Sequence, residues 1–341
     1  MDNLIGFLRK ITPEMVELLE MRYSVLRNIY YHQPVGRRLL AAYMGIGERV
    51  VRKELDFLKE QGLISISPAG MELKEEGIEL VEQLRQFTHK LRGLHDLEIK
   101  IRNILNIEEV HIVNGDSDTD MSSKKDMGRI AAALIRQRQN DISVIAVSGG
   151  STIAQVAEQM PVLNTRNSIL TVPARGGLGE IAEFQANAIA AKLAGKMNSK
   201  YKLLYVPDNL SKEVLEKIVE EPTVKEVIDS IKKADILLYG IGRAEDMANR
   251  RRLSGELIEE LKKKGAVSEA LGFYFDSEGK LVHTSTSIGL SLDDFSSIPV
   301  AIAVAGGTKK ARAIVAANLF RKKTILVTDE GAAVEILRLN S

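Results

Sequence analysis

The sequence has no cysteine and only five histidines. The first absence excludes a disulfide framework, a thiolate nucleophile and a cysteine-based zinc site. The second leaves little of the commonest acid–base group, and beyond residue 111 only His283 remains. Net charge is missing too: 47 Lys and Arg face 46 Asp and Glu. A polyanionic partner therefore has to be sought in local clusters. The N-terminal "MDNLIGFLRKITPEM" lacks the basic start, long apolar run and small-residue site of a secretory leader. No run reaches the roughly 18 apolar residues of a membrane span. The expectation is a soluble, cytoplasmic chain with no membrane partner.

What is present falls into two textures. At 341 residues, 45% of them hydrophobic, two domains are expected, divided near residues 90 and 91. Residues 1–90 are Leu-rich, charged and helical in period. From about 110, β-branched runs alternate with Ala-rich helices: 142–148, 168–172, 201–206, 234–240, 298–305 and 323–328. Several runs are apolar without alternation, as strands buried on both faces are. This is an α/β pattern with a doubly wound, Rossmann-like parallel sheet. Between the halves, Phe87, Leu91, Leu94, Ile101 and Leu105 fall roughly on one helical face. That face suits a coiled-coil-like linker between protomers or a helix packed on its own domain, and Gly93 interrupts it.

In the first half, "GRRLLAAYMG" and "IGERVVRKELDFLKEQG" read as two short helices joined by a tight turn. Leu39, Leu40 and Tyr43 belong to the first, and Val50, Leu55 and Leu58 point inward from the second. "LISISPAGMELKEEG" then outlines a hairpin with its turn at Pro68–Gly70. Together they predict a winged helix-turn-helix. Residues 36–53 hold Arg37, Arg38, Arg49, Arg52 and Lys53 against Glu48 alone, five cations minus one anion for a net +4. Arg49, Arg52 and Lys53 recur at i, i+3, i+4 and project from one helix face, with Val51, Leu55 and Leu58 on the other. Such a face suits double-stranded DNA, where Arg reads guanine edges and Arg or Lys holds phosphates. The plainer alternative is an ordinary solvated basic helix.

In the second half, "AVSGGSTIAQ" ends a strand, passes Gly149 and Gly150, and starts a helix at Ser151 and Thr152. Backbone amides, two hydroxyls and a helix start make a small phosphate cradle. The spacing is neither GxxxxGK[ST] nor GxGxxG, which points to a sugar phosphate before a nucleotide. Cations follow other strands: Arg175, Arg243, Arg250–Arg252, and Lys309 and Lys310 after "VAGGT". In a parallel sheet these loops share one rim, and several cations there suit a ligand with more than one phosphate. Gln185 and Glu269 are candidates for sugar hydroxyls, or surface helix residues.

The ordered motifs "VSGGST", "GFYFDSEGKLV", "SIGLSLDDF", "AVAGGTKKARAI" and "ILVTDEGA" resemble the sugar-binding domain of SorC/DeoR-type bacterial transcriptional regulators, over about residues 90–341. The stretch "PVGRRLLAAYMGIGERVVRKELDFLKEQGLI" further resembles family members that govern glycolytic operons. The resemblance implies a repressor with an effector domain of the sugar-phosphate isomerase and deaminase type. It implies fructose 1,6-bisphosphate as effector, no cofactor, and a homo-oligomer, dimeric and tetrameric on operator DNA. It places effector contacts on Gly149, Gly150, Ser151, Thr152, Arg175, Gln185, Arg250, Arg251, Glu269 and Lys310, and leaves open which arginine of 250–252 faces the ligand. The competing readings are an isomerase-like enzyme, for which Glu269 and Asp329 remain possible acid–base groups, and a phosphosugar module whose basic helix serves a protein partner.

Overall fold

The computed structural model describes residues 7, 9–163, 169–177, 181–206 and 212–340. Ser168 of the expected strand 168–172, and Gly179 and Glu180 of the following helical segment, lie outside them.

The N-terminal module is built from α1 (Pro13–His32), α2 (Arg37–Met44), α3 (Glu48–Glu60) and the hairpin β1 (Ile64–Ser67) and β2 (Gly70–Leu73). Leu26, Ile29, Leu40, Val51, Leu55, Leu58 and Ile64 form its core. The hairpin pairs Ile64 with Leu73 and Ser67 with Gly70, which makes the wing. Val50, expected to point inward, is instead 46% exposed, and Val51 takes the core position. The helical period decides this: Val51, Leu55 and Leu58 share a face that Val50, about 100° away, does not. Leu39 is likewise exposed while Leu40 is buried.

The expected linker is two helices, α4 (Glu75–Leu91) and α5 (Leu94–Leu105). They break at Gly93, whose φ of 64° is left-handed and cheap only for glycine. α4 packs Val81 and Leu84 on the winged core. α5 sends Leu94, Ile101 and Leu105 into the core of the second module. The apolar stripe is therefore used within the chain, on both modules.

The second module carries β3 (Glu109–Val113), α6 (Met121–Gln137), β4 (Val144–Val147), α7 (Ser151–Gln159), β5 (Leu170–Pro173), α8 (Ala186–Lys196), β6 (Lys200–Tyr201), α9 (Lys212–Glu220), α10 (Pro222–Lys232), β7 (Ile236–Gly240), β8 (Gly242–Arg243), α11 (Ala244–Arg250), α12 (Gly255–Lys263), β9 (Ala266–Ala270), β10 (Phe273–Asp276), β11 (Leu281–Thr284), α13 (Leu292–Ser297), β12 (Val300–Val304), α14 (Ala311–Phe320), β13 (Ile325–Asp329) and α15 (Glu330–Leu339). Seven parallel strands run in the order β3-β13-β12-β7-β4-β5-β6. Alternate residues serve opposite faces. Ala146, Leu237, Ala303 and Leu326 meet α5, α10, α14 and α15. Ile145, Val147, Leu238, Val304 and Val327 meet α6, α7 and α8. A smaller antiparallel sheet, β11-β10-β9-β8, closes one side.

The run 201–206 leaves the sheet after Tyr201, because the Asn187 side chain takes both backbone groups of Leu204, at 2.9 and 3.0 Å. β3 was not foreseen: it is an edge strand whose Glu109 and His111 interrupt the apolar pattern.

Candidate effector site and nucleic-acid interface

The strand order places one crevice. From β4 the chain winds to β5 on one side, and from β7 to β12 on the other. Between β4 and β7 the winding reverses, and ligands of such sheets sit beyond the strand ends at that point. Ser148 fastens it: its N–H donates to the Leu238 carbonyl at 2.8 Å, and its Oγ accepts the Gly240 N–H at 3.2 Å.

The Gly149–Thr152 turn follows directly. A Cβ on Gly149 would lie 2.8 Å from the Phe184 carbonyl, and Gly150 has φ +122°, so neither position accepts a side chain without movement. The Gly150 N–H is spent on Phe184 O at 2.8 Å. The donors left at the start of α7 are the first-turn amides and the hydroxyls of Ser151 and Thr152, with Thr152 buried. Gln185 precedes α8 against the same turn, with its carbonyl carbon 3.8 Å from that Gly149 Cβ position. The structure thus brings Gln185 to the cradle.

A second group surrounds Gly272. A Cβ there would collide with Arg175 Nη1 and lie 3.3 Å from Arg251 Nη1. Buried Glu269 accepts from Arg251 Nη2 at 2.6 Å and from the Gly272 N–H at 2.5 Å. Arg251 also reaches Ser285 Oγ at 3.4 Å. Glu269 therefore holds Arg251, and its Oε1 is already engaged. Burial, then the Glu269 charge, push the neighbouring Tyr274 phenol up to about 12.

Arg250 joins a third group. It is exposed at the end of α11, near Lys310 at the start of α14 and Lys124 of α6. Burial first, then the charges of Lys124 and Arg250, hold Lys310 below the ordinary lysine range, opposed by Asp118 and Asp329. Burial and then Arg250 do the same to Lys124. Arg250 is therefore the arginine of the 250–252 run that stands with other cations, while Arg251 is committed to Glu269. Lys124 escaped the sequence reading, because it follows an unforeseen edge strand and lies inside α6, away from the strand end. Among the described residues no acidic or histidine cluster could hold a metal ion.

On the winged module, Arg49, Val50, Arg52 and Lys53 are exposed together at the start of α3, while Glu54 turns inward to Arg22 Nε at 2.9 Å. Arg37 of α2 pairs with Glu48 at 2.7 Å, and the almost fully exposed Arg38 lies 3.7 Å from the same carboxylate. The face is cationic with apolar spots at Val50 and Leu39, the side-chain types that meet thymine methyl groups.

The two modules meet through α1 and α6. Arg27, 3% exposed, places Nε 2.7 Å from Asp126 Oδ2 and Nη2 3.3 Å from Asp120 Oδ2. Tyr31 donates its phenol to Asp126, and Lys125 Nζ donates to the Tyr31 carbonyl at 2.6 Å. Arg92 bridges Glu20 at 2.8 Å and Glu330 at 2.6 Å.

Comparison with known proteins matches this division. Residues 18–88 match the family model of the CggR N-terminal DNA binding domain, and residues 89–338 match that of a sugar-binding domain. The central glycolytic genes regulator of Bacillus subtilis is 45% identical over 338 residues, covering 99% of each chain. That of Priestia megaterium is 43% identical over 339 residues, again 99% of each. The crystal structure of a SorC-family transcriptional regulator from Enterococcus faecalis, 41% identical, superimposes with a TM-score of 0.67 over 71% of this chain and 100% of that one. The chain is a regulator with a DNA-binding domain and a sugar-binding domain, not an enzyme, and it belongs to the SorC family of transcriptional regulators.

Proposed function

We propose that the chain represses a glycolytic operon and that fructose 1,6-bisphosphate, bound in the crevice between β4 and β7, releases it from double-stranded operator DNA. The names of the two full-length relatives support glycolytic genes as targets. The observation that carries the ligand class is the pairing of two anion-seeking features on one rim of the sheet, beyond the C-terminal ends of its strands. One is the α7 start with Ser151 and Thr152; the other is the trio Lys124, Arg250 and Lys310. A sugar with a phosphate at each end uses both, and a monophosphate uses one. Gln185 and the Arg175–Arg251–Glu269 group line the space for sugar hydroxyls.

Control is a linkage: the sugar shifts the chain between two arrangements by its differential affinity for them. In a dimer, and in a tetramer on DNA, the arrangements differ in how paired winged modules fit paired half-sites. Acting on bacterial promoters, the protein works in the cytoplasm.

The test is a titration of fructose 1,6-bisphosphate, fructose 6-phosphate and glucose 6-phosphate into the protein bound to its upstream promoter DNA, read by fluorescence anisotropy. The bisphosphate releases DNA at the lowest concentration and is recovered unchanged. Equal potency of a monophosphate rejects the two-phosphate pocket. Thr152→Val and Arg175→Ala bind DNA and lose the response; normal release by both variants rejects the crevice.

A further inference from the structure

The turn after β12, Gly306-Gly307-Thr308, parallels the Gly149–Thr152 cradle, yet carboxylates of the same chain already reach it. They come from the turn joining β3 to α6, residues 114–120. Asp116 Oδ2 accepts from Thr308 Oγ1 at 2.6 Å, and Asp118 Oδ2 accepts the Lys309 N–H at 3.0 Å. A Cβ on Gly307 would lie 2.5 Å from Asp118 Oδ1, so only a bare backbone admits that carboxylate. Asp118 is also the anion that opposes the Lys124 and Lys310 charges. The other nearby acid, Asp329, is engaged by the Ser117 N–H at 2.7 Å and the Ala332 N–H at 2.9 Å. Lys124 and Lys310, with Arg250 beside them, thus have Asp118 as their exposed carboxylate.

The far end of the same turn grips the DNA-binding module. Asp120 caps α6 through the Ser122 N–H at 2.9 Å and pairs with Arg27 at 3.3 Å. Ser123 Oγ accepts from Arg27 at 3.1 Å. Lys124, on the same helical turn as Ser123 and Asp126, stands with the cations of the sugar domain. The segment 116–126 therefore touches the anion position at one end and Arg27 at the other.

We infer that Asp118 is a built-in ligand holding the second phosphate position of the sugar-free protein, that an effector phosphate displaces it, and that the displaced turn loosens Asp120 and α6 from Arg27 of the DNA-binding module. The inference rests on the phosphosugar reading above. A phosphate brings nearly two charges and three acceptor oxygens where the carboxylate brings one charge and two. Three cations favour that exchange. An internal competitor lowers the apparent affinity of the ligand that must displace it, and whatever holds the competitor in place holds the sugar out.

The test compares the full-length chain with Asp118→Asn, measuring fructose 1,6-bisphosphate affinity by calorimetry and sugar-free operator affinity by anisotropy. Asp118 is exposed, and unchanged thermal melting by circular dichroism verifies that the variant folds. The expected signature is paired: sugar binding tightens on the order of fivefold, and sugar-free DNA binding weakens in the same variant. Unaltered or weaker sugar binding overturns Asp118 as internal ligand. Tighter sugar binding with unaltered sugar-free DNA affinity overturns the link to Arg27. In the second variant, Asp120→Asn, sugar still binds and the ratio of DNA affinities without and with sugar falls toward one; a full ratio there also overturns the link. A wild-type chain that binds no sugar phosphate removes the functional reading itself, and this inference with it.

Discussion

Replacing Arg27 by Met probes the joint between the modules. The Arg27 side chain is 4% exposed and that of Asp126 5%, with 2.7 Å between Nε and Oδ2. Removing one partner of such a buried pair costs about 3–5 kcal/mol, because the other charge is left without compensation. Here compensation exists. Arg85 Nε lies 3.6 Å and Arg129 Nε 3.9 Å from Asp126, and the Tyr31 phenol donates to it. Burial, then the Asp126 charge, raise the Tyr31 phenol far above its ordinary range, so it remains a donor. The loss therefore falls to about 2–3 kcal/mol, one hydrogen bond to Ser123 included. Asp126→Leu is different, since it takes a carboxylate from three guanidinium groups at once, leaving Arg27 only Asp120 at 3.3 Å and Arg85 only Glu82 at 2.5 Å. A cavity of about 370 Å³ beside Arg85 and Arg129 admits water to two of them, which holds the cost near 4 kcal/mol. The order is the prediction: Asp126→Leu destabilises more than Arg27→Met by about 1 kcal/mol or more. Denaturant unfolding of the full-length chain, followed by far-UV circular dichroism, measures both. The reverse order, or an Arg27→Met chain within about 0.5 kcal/mol of wild type, refutes Asp126 as the hub of the joint.

Arg52→Ala lowers operator affinity by roughly 1–3 kcal/mol if the side chain reads a base, with sugar binding intact, and binding across a set of operator variants identifies the base. Gly149→Ala drives a Cβ to 2.8 Å from Phe184 O and 3.3 Å from Ala186 N, both backbone atoms. Calorimetry then shows sugar affinity reduced on the order of tenfold while DNA binding is kept. Lys124 and Lys310 are depressed by burial and by neighbouring cations, and a bound phosphate favours their charged forms. Sugar affinity therefore falls as pH rises through their depressed pKa values, beginning below the ordinary lysine value of about 10.4. Binding in that range takes up protons, which calorimetry in buffers of different ionisation heat measures; proton release there contradicts the assignment.

The fold was legible because its signals are periodic. Apolar runs buried on two faces announce parallel strands, and Val51, Leu55 and Leu58 announce the inner side of α3. Where a polar residue breaks the period, the reading fails for a physical reason. Glu109 and His111 hid the edge strand β3, and Asn187 ended β6 from a helix that only folding brings alongside. Val50 was misplaced because one residue of phase on a helix is about 100°, enough to move a side chain from core to groove.

At the candidate site, cations and glycine turns were legible one loop at a time, but their partners were not. Nothing local in "RRR" distinguishes Arg250 from Arg251; Glu269, eighteen residues on, makes the difference by holding Arg251 at 2.6 Å. Nothing local in "NGDSDTD" marks Asp118 as the anion beside Lys310, because the two are joined only where β3 and β12 end on the same rim of the sheet. A sequence shows which residues carry charge, whereas a binding site depends on which charges remain unanswered after folding. Glu269 answers Arg251, and Glu48 answers Arg37. Lys124, Arg250 and Lys310 outnumber Asp118 and Asp329 beside them, and on the proposed function that excess is what draws a second phosphate.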